Sequence, residues 1–593
     1  MNHASLWCAL IAVVTACGPD PREVEPDAAP CPDGERRCEG NTFEVCSKGD
    51  WTVVDQCPLN CSLEGCTSCT GPDCVTDACA QASSDQSNLG CEYWAVDLDN
   101  ATEVVGSPIP NPGMECSFWP GTKVLAATAV CTDGLGQVAG MCDDPNVTCP
   151  PGYSCQVPAA GVCAADADHA PFAVVVSNPQ AVTVAVTIAN ASGHTMTVPV
   201  GPGEIAALYP QQLGFADQGL DGTGKSLAAY KVTSNAPIVA YQFNPLDNVD
   251  VFSNDASLLI PRSGFDKRYI GVSYPTLTRR GPQTAGRDNY NGYLAVVAWH
   301  DDTQISVTAT ATTVAGRDGT LPIAAGATQT FTLRAFEVLN LEAAAGPDPI
   351  SDGGLNGGDL TGTLIQGVNG RTFGVFGGHE AVQITAPDSS CCADHLEEML
   401  FPTSTWGKEF VVGRTTPRRG APDILRIVAQ TAGTTVAISP PPSGGGCSVL
   451  AAGAHCDVRI LESTQITASQ PVTVAHFMMS AILGMAGTGD PSMSIVPPVE
   501  QHRTDYKFLA PMKYDNQYVT IIAKAADSVA LDGAPVTGFQ AFGAGRAVAT
   551  VGLTIGTHRV TCPLGCGVEV YGWSAAVSYM FAGGLDLHPI VIE

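Results

Sequence analysis

At 593 residues the chain is several times the size of a typical domain, so several domains with sizeable cores are expected. Charged residues make up only 15% and the formal charge is −30, which argues against nucleic acid and against adsorption to anionic membranes, since both need clustered Lys and Arg. Frequent Gly (63) and Pro (43) suit short strands joined by turns, and 24 cysteines point to disulfides in an oxidising compartment.

Residues 6–16, LWCALIAVVTA, form an apolar run too short to span a bilayer, so residues 1–16 read as a signal peptide. Val14, Thr15 and Ala16 before Cys17 resemble a bacterial lipobox, which implies cleavage before Cys17 and lipidation of its sulfur. The leader departs from that pattern in having His3 but no Lys or Arg, and plain secretion is the alternative. Residues 17–30 are an acidic, proline-rich linker that cannot bury a core.

Nine cysteines between 31 and 79 describe a small disulfide-stapled module, with hairpins suggested by NTFEVC and DWTVVDQC. Cys66 and Cys69 have zinc-like spacing but no second pair to complete a site. Residues 80–164 form a second cysteine-rich region with seven more, and sixteen cysteines pair completely only if a bridge joins the two regions. Within it, Asp97 and Asp99 alternate in WAVDLDN. They read either as calcium ligands or, more ordinarily, as solvated acids on a strand edge.

From 165 to 593 a repeat takes over. PFAVVVSN, YLAVVAWHDD, ILRIVAQTAG and YVTIIAKAAD open units near 171–275, 293–415, 424–512 and 518–593. A later apolar strand follows in each: PIVAYQFNP, RTFGVFGGH, PVTVAHFMM and AAVSYMFAG. In the first three units it leads to a proline with an aromatic residue eight positions on: Pro261 and Tyr269, Pro402 and Phe410, Pro498 and Tyr506. The unit length fits a small β-sandwich better than a propeller blade. The expected fold is therefore all-β, with tandem or fused β-sandwich-like repeats after a small disulfide-rich N-terminal region.

The stretch GGHEAVQITAPDSSCCADHLEEML (377–400) is the densest in histidine, cysteine and acid within the repeats. Gln383 stands where a zincin needs its second histidine, so that motif fails. His379 lies in a strand of the repeat, which favours a scaffold role. A looser metal site of His379, Glu380, Asp394 and His395, serving a secreted hydrolase, is the competing reading. DHLEEMLFP is compatible with one or two helical turns that Asp394 would cap. Cys447 with Cys456 and Cys562 with Cys566 are plausible local disulfides, whereas a bond between adjacent Cys391 and Cys392 would be strained. No G-x-S-x-G, Walker or dinucleotide-binding pattern is present, so no enzyme and no cofactor are expected.

The combination of PIVAYQFNP with DASLLIP, VFGGHE, CCADHLEEMLFPTSTWGKEFVV and VYGWSAAVSYMFAGG resembles the N-terminal domain of IgGFc-binding proteins over roughly residues 165 to 590. Gly378, His379, Glu380, Asp394, His395, Trp406 and Gly407 carry its most specific part. The family often has a cysteine directly after GHE; here that residue is Ala381. Animal members add mucin-type von Willebrand modules, which this sequence does not show, so antibody binding is not carried over. The resemblance implies an extracellular β-rich binding or adhesion scaffold with no catalytic residues to transfer. Together with the lipobox it suggests a lipoprotein of the bacterial outer membrane or cell surface, or a secreted protein. It would contact the membrane only through its lipid and bind a protein or glycan ligand. A structural spacer of the envelope or matrix is a further alternative.

Overall fold

The computed structural model describes strand segments between residues 36 and 66 and then residues 77–590, except 105–121, 126–127, 143–148, 150, 160, 247–252, 279–288, 347–353, 385–392, 419–420, 443, 481–488 and 544. The leader, Cys17, the linker, Cys391 and Cys392 lie outside the described residues. Two compact units are present, Met1–Thr70 and Gly71–Glu593.

In the smaller unit, Arg36–Glu39, Thr42–Ser47 and Asp50–Gln56 form an antiparallel sheet, and Cys61–Ser62 pairs with Gly65–Cys66. In the larger unit, Cys79–Cys91 joins the two cysteine-rich stretches, and Cys131–Cys149 and Cys142–Cys155 staple the second. Further bridges connect Cys447 to Cys456 and Cys562 to Cys566.

The rest of the larger unit is a fourfold repetition of strands. The first repeat contains β1 (Gly90–Val96), β2 (Ala173–Ser177), β3 (Ala229–Asn244) and β4 (Asp255–Leu258). The second contains β5 (Gly292–Val297), β6 (Gly374–Val382) and β7 (Asp394–Met399), and the third β8 (Asp423–Ala429), β9 (Thr464–Met478) and β10 (Ser492–Val496). The fourth contains β11 (Asn516–Lys524), β12 (Gly556–Ser574) and β13 (Val577–Ala582). The antiparallel order β2–β3–β4 recurs as β5–β6–β7, β8–β9–β10 and β11–β12–β13. This corrects the expected alignment of the fourth repeat. AAVSYMFAG overlaps β13, the third strand, while the middle place belongs to GVEVYGW in β12. Both strands are buried and apolar, so the sequence signal is the same for either.

β3, β9 and β12 are long because each serves both sheets of its sandwich. The first half of β9 pairs with Gly407–Val412 and Val436–Ser439, and its second half with β8 and β10. A strand that changes sheets in this way makes a sandwich corner. In the second repeat the same course is divided into Leu364–Gly367 and β6. β5 is buried along its whole length, which is why it reads as the unbroken run GYLAVV, whereas Thr303–Thr308 in the outer sheet alternates. The fold is thus all-β with fused sandwich repeats.

The third strands meet at the centre: β4 and β10 each pack against both β7 and β13, so the repeats close in cyclic order around a continuous core. Each of these strands is an edge, and its outward N–H groups are buried and need acceptors. Acids and hydroxyls supply them. Asp255 Oδ2 accepts from the N–H groups of Glu397 (3.2 Å) and Met493 (3.1 Å), Asp394 Oδ1 from that of Asn254 (2.6 Å), and Ser257 Oγ from that of Met399 (2.7 Å). These contacts, together with the ladder to β6, hold DHLEEM as a strand instead of the expected helical turns. Tertiary pairing overrides the helix propensity of Leu, Glu and Met.

Pro261, Pro402 and Pro498 each precede a 3-10 turn with nearly identical backbone angles (φ −65, −63 and −64°; ψ 154, 150 and 159°). The aromatic residue eight positions later is buried in every case. Tyr269 Oη accepts the Asp266 N–H (3.1 Å) and donates to Phe373 O (2.9 Å); Tyr506 Oη does the same with Arg503 N–H and Cys566 O. The repeated pair therefore fixes the entry into the next strand.

Candidate functional site: an acidic cleft between the first two repeats

β6 carries the GHE stretch. Gly377 and Gly378 lie mid-sheet, paired on both sides. A Cβ on Gly377 would stand 1.9 Å from Val272 O, and one on Gly378 2.0 Å from Leu396 O, so close backbone approach demands both glycines. Gly377→Ala is expected to destabilise the protein by about 2 kcal/mol or more through overpacking. The urea midpoint measures it, and a wild-type midpoint would refute the steric argument.

Strand alternation sends His379 and Glu380 to opposite faces. His379 Nε2 lies 3.1 Å from Pro275 O, and burial pushes the imidazole down to about 3, so it is neutral and donates to that carbonyl. His395 Nδ1 is 3.3 Å from Glu380 O and its Nε2 3.4 Å from Tyr293 Oη, while Asp394 accepts backbone N–H groups. Among the described residues, the ligand atoms of His379, Glu380, Asp394 and His395 do not form one set. Trp406 and Gly407 are likewise spent on packing: Trp406 Nε1 donates to Phe401 O (3.1 Å), and a Cβ on Gly407 would meet Pro498 at 2.4 Å.

Glu380 instead joins two acids from elsewhere. Glu342 ends the strand Val338–Glu342 and pairs with Tyr293, and Gly292 pairs with His379; Glu342, Asn291 and Glu380 therefore share one face around the start of β5. Asp99 arrives from the loop after β1. One oxygen from each of Asp99, Glu342 and Glu380 lies within 4.8 Å of the others. Asp99 Oδ2 accepts from Gly222 N–H (2.8 Å) and Asn340 Nδ2 (3.1 Å), and Glu342 accepts from Thr223 N–H (3.0 Å) and Asn291 Nδ2 (3.3 Å). The three acids line a cleft of about 190 Å³ with Asp168, His169 and Asp221.

The expectation of solvated acids in WAVDLDN is corrected: Asp97 and Asp99 are 0% and 4% exposed, and of the two only Asp99 lines the cleft. Burial, reinforced by Glu342 and Asp168, pushes the Asp99 carboxyl well above its usual range; burial with Asp99 and Glu342 does the same to Glu380. Burial also raises Asp168, against the partial relief given by His169. A hydrogen bond to Asp166 pushes His169 up to about 9, and Arg317 pairs with Asp221, so two cations border a larger group of acids. Glu342 and Asp168 were not legible as site residues, because no local motif ties them to Glu380.

The bridged, all-β architecture defines an extracellular or cell-surface protein built from fused sandwiches. Residues 255–572, more than half of the chain, match the family model described as IgGFc binding protein, and the chain belongs to that family. No curated protein matches it. The crystal structure of a tetra-tandem repeat in the extending region of a large adhesion protein is 13% identical over 70% of this chain and 92% of its own, with a TM-score of 0.08, too low to indicate a common arrangement. No helix among the described residues is long and apolar enough to cross a membrane.

Proposed function

We propose that the protein is a binding scaffold, held at a bacterial surface by a lipid on Cys17, that presents sandwich loops to a protein or glycan ligand. What supports this reading most directly is the use made of the GHE and DHL residues: they interlock buried strands and so lock the repeats into one body, as a platform for loops requires. Membership in a family described by binding supports it from a second side.

Two experiments test the two halves. Cells fed an alkyne-tagged fatty acid should label the wild-type chain but not Cys17→Ser; labelling unchanged in the variant, or absent from both, discards the anchor and favours secretion. The purified full chain, applied to a glycan array and to immobilised surface proteins, should retain a ligand saturably. Self-association with no ligand retained would overturn the binding reading in favour of a structural spacer.

A further inference from the structure

The helix Asp77–Ser84 forms one wall of a groove where the first and fourth repeats meet. The Cys79–Cys91 disulfide ties that helix to β1, so the wall is fixed to the first repeat. The other walls come from Gln180 and Pro237 of the first repeat, from Arg503 on the strand Arg503–Ala510 that pairs with β12, and from Asp586 after β13. Two adjoining hollows, about 500 and 240 Å³, share Leu89, Gln180 and Arg503 in their lining. Small-molecule sites favour such junctions between folded units, and the larger hollow falls within their usual range of about 300–1,000 Å³.

The charges of the groove are already balanced. Arg503 Nη1 donates to Asp586 Oδ1 (2.8 Å), and Arg559 holds the two oxygens of Asp505 at 2.8 and 2.6 Å. What these pairs leave over is a mixture of donors and acceptors. Gln180 spends Nε2 on Pro237 O (2.7 Å) and keeps Oε1, Asp586 keeps Oδ2, and Arg503 keeps Nη2. Lys507 gives one N–H to Pro179 O (2.6 Å) and keeps the others. A small anion or cation would use only half of this set, whereas a hydroxyl both donates and accepts. Leu89, Pro237 and Val239 add an apolar floor for the C–H face of a sugar ring. Protein partners are anchored by large side chains in fully desolvated pockets, but Arg503 and Asp586 keep 18% and 36% of their side-chain surface exposed. We infer that this groove binds a short neutral oligosaccharide. The inference rests on the binding reading above and gives it a ligand class and a place.

The test is an array of neutral, sialylated and sulfated oligosaccharides probed with the full chain and with two variants. Saturable retention by neutral oligosaccharides is expected, unchanged between about 0.05 and 0.5 M NaCl because no net charge is recognised. Gln180→Ala should weaken it about tenfold, and Ala78→Trp, which fills the larger hollow from the helix, should abolish it. Retention by acidic oligosaccharides only, or binding by Ala78→Trp equal to wild type, overturns the inference. Should Ala78→Trp fail to fold, hydrogen exchange of the wild-type chain decides. The retained neutral oligosaccharide should slow exchange in peptides covering 78–89, 178–181 and 503–508, and exchange unchanged there places the ligand outside the groove. If immobilised surface proteins retain the chain and no oligosaccharide does, the groove assignment falls while the scaffold reading stands. If neither retains it, both fall.

Discussion

Replacing Arg426 with alanine is expected to lower the stability of the larger unit by about 3–5 kcal/mol, the size of effect that follows when buried charges lose their partner. Arg426 sits in β8, 2% exposed. Its Nε and Nη2 fork onto the two oxygens of Asp457, both at 2.8 Å, while Nη1 donates to Ser273 O (2.6 Å), Asp359 Oδ2 (2.9 Å) and Thr361 Oγ1 (3.0 Å). The guanidinium also lies 4.6 Å from the centre of the Tyr274 ring. Asp457 is the cross-strand partner of Arg426 in the third repeat, whereas Asp359 and Thr361 belong to the second, so a single side chain ties two sandwiches together. Removing it deprives Asp359 and Asp457 of their guanidinium and takes from Ser273 O one of its two donors, the other being Thr361 Oγ1 (2.9 Å). Lysine cannot reproduce the fork, and Arg426→Lys is expected to recover only a small part of the loss. Urea unfolding of both variants measures this. A loss below about 1 kcal/mol for alanine, or full recovery with lysine, would show that the network is dispensable.

Arg426 also shows where sequence reading stops. In ILRIVAQ the apolar run identifies a buried strand, and a lone arginine within it looks like a local irregularity. Its partners lie 31, 67 and 153 residues away, beyond any periodic signal. The same limit explains the acids. The spacing of Asp97 and Asp99 carries no information on burial, because burial depends on β3 and on the second repeat packing over them. DHLEEM has helical composition, and only its pairing with β6 makes it a strand. The proline and aromatic pairs were legible because their requirements are local: a fixed φ at the proline and a ring buried a constant distance on. The placement of GHE in a strand of the repeat was legible too, since Gln383 breaks the spacing that a zinc helix needs and the glycines continue an apolar run. Cyclic closure of the four repeats was not, since it arises from edge-to-edge contacts between β4, β7, β10 and β13, far apart in the chain.

The second large effect concerns His476 and depends on pH. His476 is fully buried in β9; its Nδ1 is 3.0 Å from Glu569 Oε2 on β12, and its Nε2 stands 3.2 Å from Asp423 Oδ2 on β8 without the alignment of a hydrogen bond. Burial alone would favour the neutral ring, but Glu569 and Asp423 outweigh it and push His476 up to about 10. An unfolded histidine titrates near ~6.5, so the folded chain holds this proton more tightly. The stabilisation is therefore fully present below about pH 6.5 and is lost as the pH rises through about 10. His476→Gln is expected to cost on the order of 4 kcal/mol near pH 6, with the difference from wild type shrinking steadily toward pH 10. Asp423 works in the opposite sense. Burial opposes its ionisation, yet the imidazolium holds its carboxyl below the usual range, so its contribution is lost as the pH falls. Comparing wild type and variant from about pH 6 upward isolates the histidine. A cost that stays constant across that range would mean that the ring is neutral and joins the third and fourth repeats by hydrogen bonding alone, with no buried charge at the junction.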